Sequence, residues 1–144
     1  MKLRDTRTGM EVVPADECWR LLGTKAIGRV GVVIADRPIV LPVNYVLDGE
    51  AVVFRTDPGT KLDAAVRGQF VAFEVDDADL VYHTGWSVLV TGVAEEITGS
   101  DALARAKALP LEPWAAGPKA HHVRITPVTI SGRRIDRRDD AEPD

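Results

Sequence analysis

The segment Val53–Lys61 carries one cation and one hydroxyl group on each side of a short segment that interrupts regular secondary structure. Arg55 and Thr56 end an apolar run, and an Asp-Pro-Gly break separates them from Thr60 and Lys61, which open a helical pattern. Helix N-terminal amides carry free donors and partial positive charge, an Arg side chain pairs with phosphate oxygens, and Lys adds a point charge. The segment therefore predicts a phosphate-binding site.

The same residues also allow a purely structural interpretation. Thr56 or Thr60 would then only cap the helix, and Arg55 and Lys61 would be solvated, as most cations are. Composition alone leaves both interpretations open. The segment is not a P-loop, because the spacing of glycines, lysine and hydroxyl that this motif requires is missing.

Other residues that could carry chemistry form weaker patterns. His121 and His122 are adjacent, so in a strand their rings would face opposite sides and could not easily chelate one ion. No serine lies in a nucleophile elbow, and the lone Cys18 has the apolar helical setting of a buried thiol in a reducing compartment. We therefore predict no metal site and assign no catalytic side chain.

Short helices and β-branched strands must position these residues. Proline or a capping residue at the start and glycine at the end mark helices, whereas Val- and Ile-rich runs indicate strands. The predicted helices are Pro14–Gly23, Thr60–Val66 and Ser100–Leu109. The predicted strands are Gly28–Ala35, Ile39–Leu47, Ala51–Arg55, Gln69–Val75, Trp86–Ile97 and His122–Ile130. The acids predicted to surround a solvated turn are Glu74, Asp76, Asp77 and Asp79.

Local signals in the strands indicate how they connect. Asp48 and Gly49 predict a hairpin, because such a turn needs residues that tolerate positive φ. Pro42 implies a strand edge or a bulge, and Gly92 indicates a bulge. Because the strands follow one another with only short helices between them, we expect an antiparallel barrel and not a parallel Rossmann sheet.

Length and charge limit the organisation and the partners. The 144 residues are typical of one domain, 1–144, whose end at 133–144 is predicted to be a charged, frayed tail. A net charge of -4 argues against a broad basic surface for nucleic acid. The N-terminus has no apolar run, so we expect neither a signal peptide nor a membrane span and predict a cytoplasmic protein.

Three segments, in order and spacing, resemble the pyridoxamine 5′-phosphate oxidase-like split β-barrel flavoproteins, a superfamily that includes deazaflavin-dependent reductases. They are Ile39–Tyr45, Val53–Lys61 and Gly85–Glu95. With the closing segment His122–Gly132, they cover the chain from the second strand onward. The resemblance implies a mainly β (α+β) fold, a six-stranded antiparallel split β-barrel with a few short helices. It also implies bound FMN and a homodimer with the cofactor site at its interface.

The resemblance further implies which residues bind the cofactor. They are Pro42, Val43, Asn44, Tyr45, Arg55, Thr56, Thr60, Lys61, Trp86 and Ser87. The first four would line the isoalloxazine ring, the next four would hold the phosphate, and the last two would reach the cofactor bound mainly by the other subunit. Asn44 and Tyr45 also suit ordinary strand positions, and Trp86 also suits the core.

The function implied is an FMN-dependent oxidoreductase acting on a small molecule that the sequence does not identify. Vitamin B6 oxidation is not expected, because the chain ends near Arg133 and Arg134 and lacks a longer C-terminal substrate-binding region. These two arginines either guard the pocket entrance or form a solvated charge run. The alternatives are a deazaflavin-dependent reductase and a non-catalytic flavin- or haem-binding sensor.

Overall fold

A computed structural model of the chain describes residues 3–111 and 121–136. The strands are β1 (Leu3–Arg4), β2 (Glu11–Val13), β3 (Ile27–Ile34), β4 (Arg37–Leu47), β5 (Val52–Thr56), β6 (Gln69–Asp79), β7 (Thr84–Glu96) and β8 (His121–Ile135). The helices are α1 (Ala15–Leu22), α2 (Lys61–Ala65) and α3 (Ser100–Ala108). Within the described ranges, none of the helices is both long and apolar enough to cross a bilayer.

Six of the strands form a ring. Neighbours pair in the order β8, β5, β4, β3, β6 and β7, and β7 pairs in turn with β8. All these pairings are antiparallel. The predicted six-stranded antiparallel barrel with short helices is therefore confirmed. β1 and β2, which the sequence patterns did not indicate, extend the sheet: β2 pairs with β8 at 132–134, and β1 pairs with β2.

The three predicted strand signals are confirmed. The Asp48 N–H donates to the Ala51 carbonyl over 2.9 Å, which closes the hairpin between β4 and β5. Pro42 pairs with β3, whereas β5 pairs with β4 only at 45–47, so Pro42 lies on an unpaired edge. The register between β7 and β8 shifts between Thr91 and Gly92, where an added Cβ would lie 2.1 Å from a backbone oxygen.

β6 and β8 are longer than the sequence patterns predict. The prediction that the acids from Glu74 to Asp79 surround a turn is wrong, because these residues pair with 84–89 of β7. β8 likewise runs through Arg133 and Arg134, which pair with β7 and β2, so the charged tail cannot begin at 133. The tail residues 137–144 lie outside the described part of the chain.

The core fills the ring and is closed by α1. Its largest fully buried side chains include Phe54, Phe73 and Leu22. Cys18 is also buried, as predicted, and burial raises the pKa of its thiol. A smaller apolar cluster lies on the outer side of the barrel, where α3 covers Val53. The barrel therefore has an inner core and one outer patch that is shielded by a helix.

Candidate functional site

Arg55 and Thr56, the two β5 residues predicted to share a phosphate, point to opposite sides of the barrel. Adjacent strand residues alternate in direction. Thr56 is 3% exposed, and its Oγ1 donates to Asp63 Oδ1 over 2.8 Å. Arg55 lies on the outer side, directly across from His122 of β8. The structure thus separates these two side chains instead of bringing them together.

Thr60 acts as the N-cap of α2. Its Oγ1 accepts a hydrogen bond from the Asp63 N–H over 3.1 Å and donates to the Asp57 carbonyl over 2.8 Å. The cap interpretation of Thr60 is thereby confirmed. Lys61, the first residue of this five-residue helix, is exposed. Of the four predicted phosphate ligands, Thr56 and Thr60 use their hydroxyl groups within the turn. Arg55 and Lys61 are the two that remain as candidate ligands.

A buried carboxylate that the sequence patterns did not single out organises this turn. Asp63 is 5% exposed and accepts hydrogen bonds from Thr56 and from the Gly59 N–H, while His121 Nδ1 lies 2.7 Å from its Oδ1. Burial alone would raise the pKa of Asp63, but the hydrogen bonds from His121, Thr56 and Gly59 outweigh it and lower the pKa to about 2. Asp63 therefore stays ionised and anchors α2 to β8.

We expect the Asp63 carboxylate to make folding stability depend on pH in the acid range. Because the folded-state pKa lies below the ordinary value of 3.8, the stabilisation is complete above about pH 4 and is lost as pH falls toward 2. The loss should be about 2 kcal/mol. The free energy of unfolding, measured with urea at pH 5 and at pH 2, should therefore fall less with acid in the Asp63→Asn variant than in the wild-type protein. Asp57→Asn, an exposed carboxylate of the same turn, should keep the wild-type loss, and equal losses in both variants would contradict the assignment.

On the outer side of the barrel, Arg55 lines a pocket of about 660 Å³ between β5, β8 and α3. His122 and Lys107 line it as well. Arg55 Nε and His122 Nδ1 are both buried, and neither has a hydrogen-bond partner among the described residues. Burial, followed by the charges of Arg55 and Lys107, lowers the pKa of His122. The pocket therefore presents cationic and neutral donors that are ready for an anion.

The predicted ring-lining residues of β4 divide between the two sides of the strand. Val43 and Tyr45 are buried in the core, and the Tyr45 hydroxyl donates to the Leu22 carbonyl. Pro42 and Asn44 lie on the outer side. Val46 pairs with Val53 in an antiparallel register, so Asn44, two residues before Val46, and Arg55, two residues after Val53, occupy neighbouring outer positions on β4 and β5. Of the four predicted ring-lining residues, Pro42 and Asn44 are therefore the two that lie on the outer side of the barrel.

Trp86 and Ser87 also face opposite ways. Trp86 packs against the main core and lines a second pocket, of about 760 Å³, together with Tyr82 and Arg134. Arg134 is held there by Glu11, at 3.6 Å. It therefore borders a pocket and is not part of a solvated charge run. Ser87 lies on the outer face, paired with Asp76 on one side and Arg133 on the other.

A shared ion pair on the outer face of β3 and β6 was also missed. Arg29 Nη1 lies 3.3 Å from Glu74 and 3.2 Å from Asp76. Burial, then the hydrogen bond and negative charge of Asp76, raise the pKa of Glu74 to about 7, against the opposing effect of Arg29. No local pattern could reveal this group, because Arg29 is 45 residues from Glu74 in the chain.

The closed antiparallel ring with an outer, donor-lined pocket defines a small β-barrel protein with a candidate anion-binding site. Residues 14–134 match the pyridoxamine 5′-phosphate oxidase family, and the chain belongs to this family. The family resemblance carried by the sequence segments is therefore confirmed.

Individual relatives agree with this membership. Rv0080, an uncharacterized protein of Mycobacterium tuberculosis, is 39% identical over 125 residues, which cover 83% of this chain and 82% of the relative. The FAD binding protein from Mycobacterium smegmatis is 40% identical with a TM-score of 0.77, covering 87% of this chain and 99% of its own. A Corynebacterium glutamicum protein provisionally named pyridoxamine 5′-phosphate oxidase is 33% identical with a TM-score of 0.78, covering 88% and 98%.

Proposed function

We propose that this protein binds a flavin and acts as an FMN-dependent oxidoreductase on a small molecule. One observation carries the proposal: Arg55 lines the outer pocket, and its buried Nε has no hydrogen-bond partner among the described residues. Leaving a buried donor unsatisfied is costly unless a ligand completes it. The residues present therefore suit a phosphorylated cofactor, and a relative 40% identical to this chain is named as an FAD binding protein.

In this proposal the chain's own residues bind and orient the flavin. Arg55 and Lys61 would hold the phosphate, since Thr56 and Thr60 are engaged by the α2 turn. Pro42 and Asn44 would lie against the ring from the outer side of β4. Val43 and Tyr45 would act indirectly, because their packing in the core fixes the backbone of that strand.

The proposal includes a homodimer. Ser87 lies on the outer face, several strands away from Asn44 around the ring, which suits a role toward a cofactor held mainly by a partner subunit. A flavin, when bound, supplies hydride transfer, so the protein needs to provide orientation and exclusion of water. We assign no acid, base or nucleophile. FMN is the proposed form, and FAD, named for the relative, is the form to compare it with.

An absorbance spectrum tests the proposal directly. The purified protein, saturated with FMN and separated from free ligand, should keep a two-peak flavin spectrum that bleaches on reduction. A single-band deazaflavin retained in place of FMN would instead indicate a deazaflavin-dependent reductase. Bound FMN that transfers electrons to no acceptor would indicate a sensing module. Failure to retain any of these cofactors would contradict the proposal as a whole.

A further inference from the structure

The pocket beneath α3 contains donors that the phosphate prediction from the sequence did not include. His122 is 8% exposed, and its Nδ1 has no hydrogen-bond partner among residues 3–111 and 121–136. Arg55, its direct cross-strand neighbour, presents the buried and equally unpartnered Nε. Two buried nitrogens on neighbouring residues are unfavourable in a folded protein unless each gains a hydrogen-bond partner.

The charges around these two nitrogens select the class of ligand. Lys107 of α3 lines the same pocket, and its charge acts on His122. The carboxylate that lines the pocket in the described residues, Glu96, is neutralised by Arg67 at 3.3 Å. The remaining charge is positive, so the ligand is an anion. Apolar side chains, among them Ile97, Leu103 and Leu109, form the other part of the wall, and such low-polarity surroundings strengthen the interaction with a charged group.

We propose that Arg55, His122 and Lys107 form a binding site for a phosphate group in the pocket beneath α3. The Arg55 Nε–H and the His122 Nδ1–H are its buried donors, and Lys107 supplies the countercharge. The phosphate comes either from the flavin itself, a source that rests on the proposed function, or from another phosphorylated molecule or free phosphate. In both cases His122 and Lys107 join Arg55 as ligands.

The histidine side chain gives a direct signal for this site. The chain has three histidines, so a His122→Asn variant identifies the His122 imidazole resonances in the spectrum of 15N-labelled protein. Inorganic phosphate, titrated into the wild-type protein, should shift these resonances with saturation. Lys107→Ala should weaken the binding roughly tenfold, as expected for one charge-assisted contact. Because Lys107 is exposed, this variant should fold even if His122→Asn does not.

Flavin titrations on the same sample separate the two sources of phosphate. If FMN shifts the His122 resonances and riboflavin does not, the phosphate is the flavin's own. If inorganic phosphate still shifts them when FMN is already bound, the phosphate belongs to another molecule. Either result supports the site. His122 resonances that respond to neither FMN nor inorganic phosphate would overturn it.

Comparison variants separate this inference from the proposed function. Lys25→Ala, a lysine paired with Asp77 away from the pocket, should leave phosphate binding unchanged. If Lys61→Ala weakens FMN binding while the His122 resonances respond to neither FMN nor inorganic phosphate, the flavin proposal stands and the site beneath α3 is wrong. If no flavin binds but inorganic phosphate still shifts His122, the site stands and the flavin proposal fails.

Discussion

Replacing both Arg55 and Lys61 by alanine is expected to weaken FMN binding by several kcal/mol. A hydrogen bond to a charged group contributes about 1.5–3 kcal/mol, so two such contacts give roughly 3–6 kcal/mol. That range corresponds to a loss in affinity of roughly a hundredfold to ten-thousandfold. Because Lys61 is exposed whereas the Arg55 Nε is buried, we expect Arg55 to account for the larger share. Titration calorimetry with FMN measures the change.

Two comparisons make this prediction specific to the phosphate. Riboflavin lacks the phosphate, so its affinity should be nearly the same for the Arg55→Ala/Lys61→Ala variant and the wild-type protein. The charge-matched double variant Lys25→Ala/Arg37→Ala, at two positions outside the pocket, should bind FMN normally. An unchanged FMN affinity in the Arg55→Ala/Lys61→Ala variant would remove the phosphate assignment.

The fold could be predicted from the sequence because its strands are marked by local signals. The hairpin between β4 and β5 follows from Asp48 and Gly49, and the β7 bulge follows from a single strand glycine, Gly92. β2 and the second half of β6 could not be predicted. β2 has only three residues and the second half of β6 is mostly acidic, so neither shows an extended apolar alternation, and both are held by pairing with neighbouring strands.

The candidate site was predictable only in part. Arg55 was found because a cation at a strand end beside a glycine turn is a local pattern. Its neighbour Thr56 was assigned to the same ligand although strand alternation already indicates that adjacent side chains point apart. Asp63 was missed because its partner His121 is 58 residues away in the chain. His122 was considered only as a metal ligand, and its pairing with Arg55 emerges from the sheet register.

An uncharged row on the outer face is a candidate interface for the proposed homodimer. The strand registers place Val40, Gly31, Ala72, Thr91 and Thr129 in one row across five strands. This row carries no charge. Val40 is 65% exposed, and Phe70, two residues before Ala72 on the same face of β6, is 60% exposed. Exposed apolar surface of this kind marks interaction sites, and a two-fold interface would bury it on both subunits.

We therefore expect the double change Val40→Glu and Phe70→Glu to convert the proposed dimer into a monomer. Four carboxylates would enter each two-fold interface without partners, and burying unpaired charge costs far more than the apolar contacts contribute. Light scattering after size-exclusion chromatography measures the mass. Leu3→Glu, an equally exposed position at 67% on β1 outside the ring, should leave the dimer intact.

Since Ser87 would reach the partner's cofactor, the monomer should also bind FMN more weakly. A Val40→Glu/Phe70→Glu protein that stays dimeric would place the interface elsewhere, whereas one that becomes monomeric with full FMN affinity would show that each barrel binds its cofactor alone.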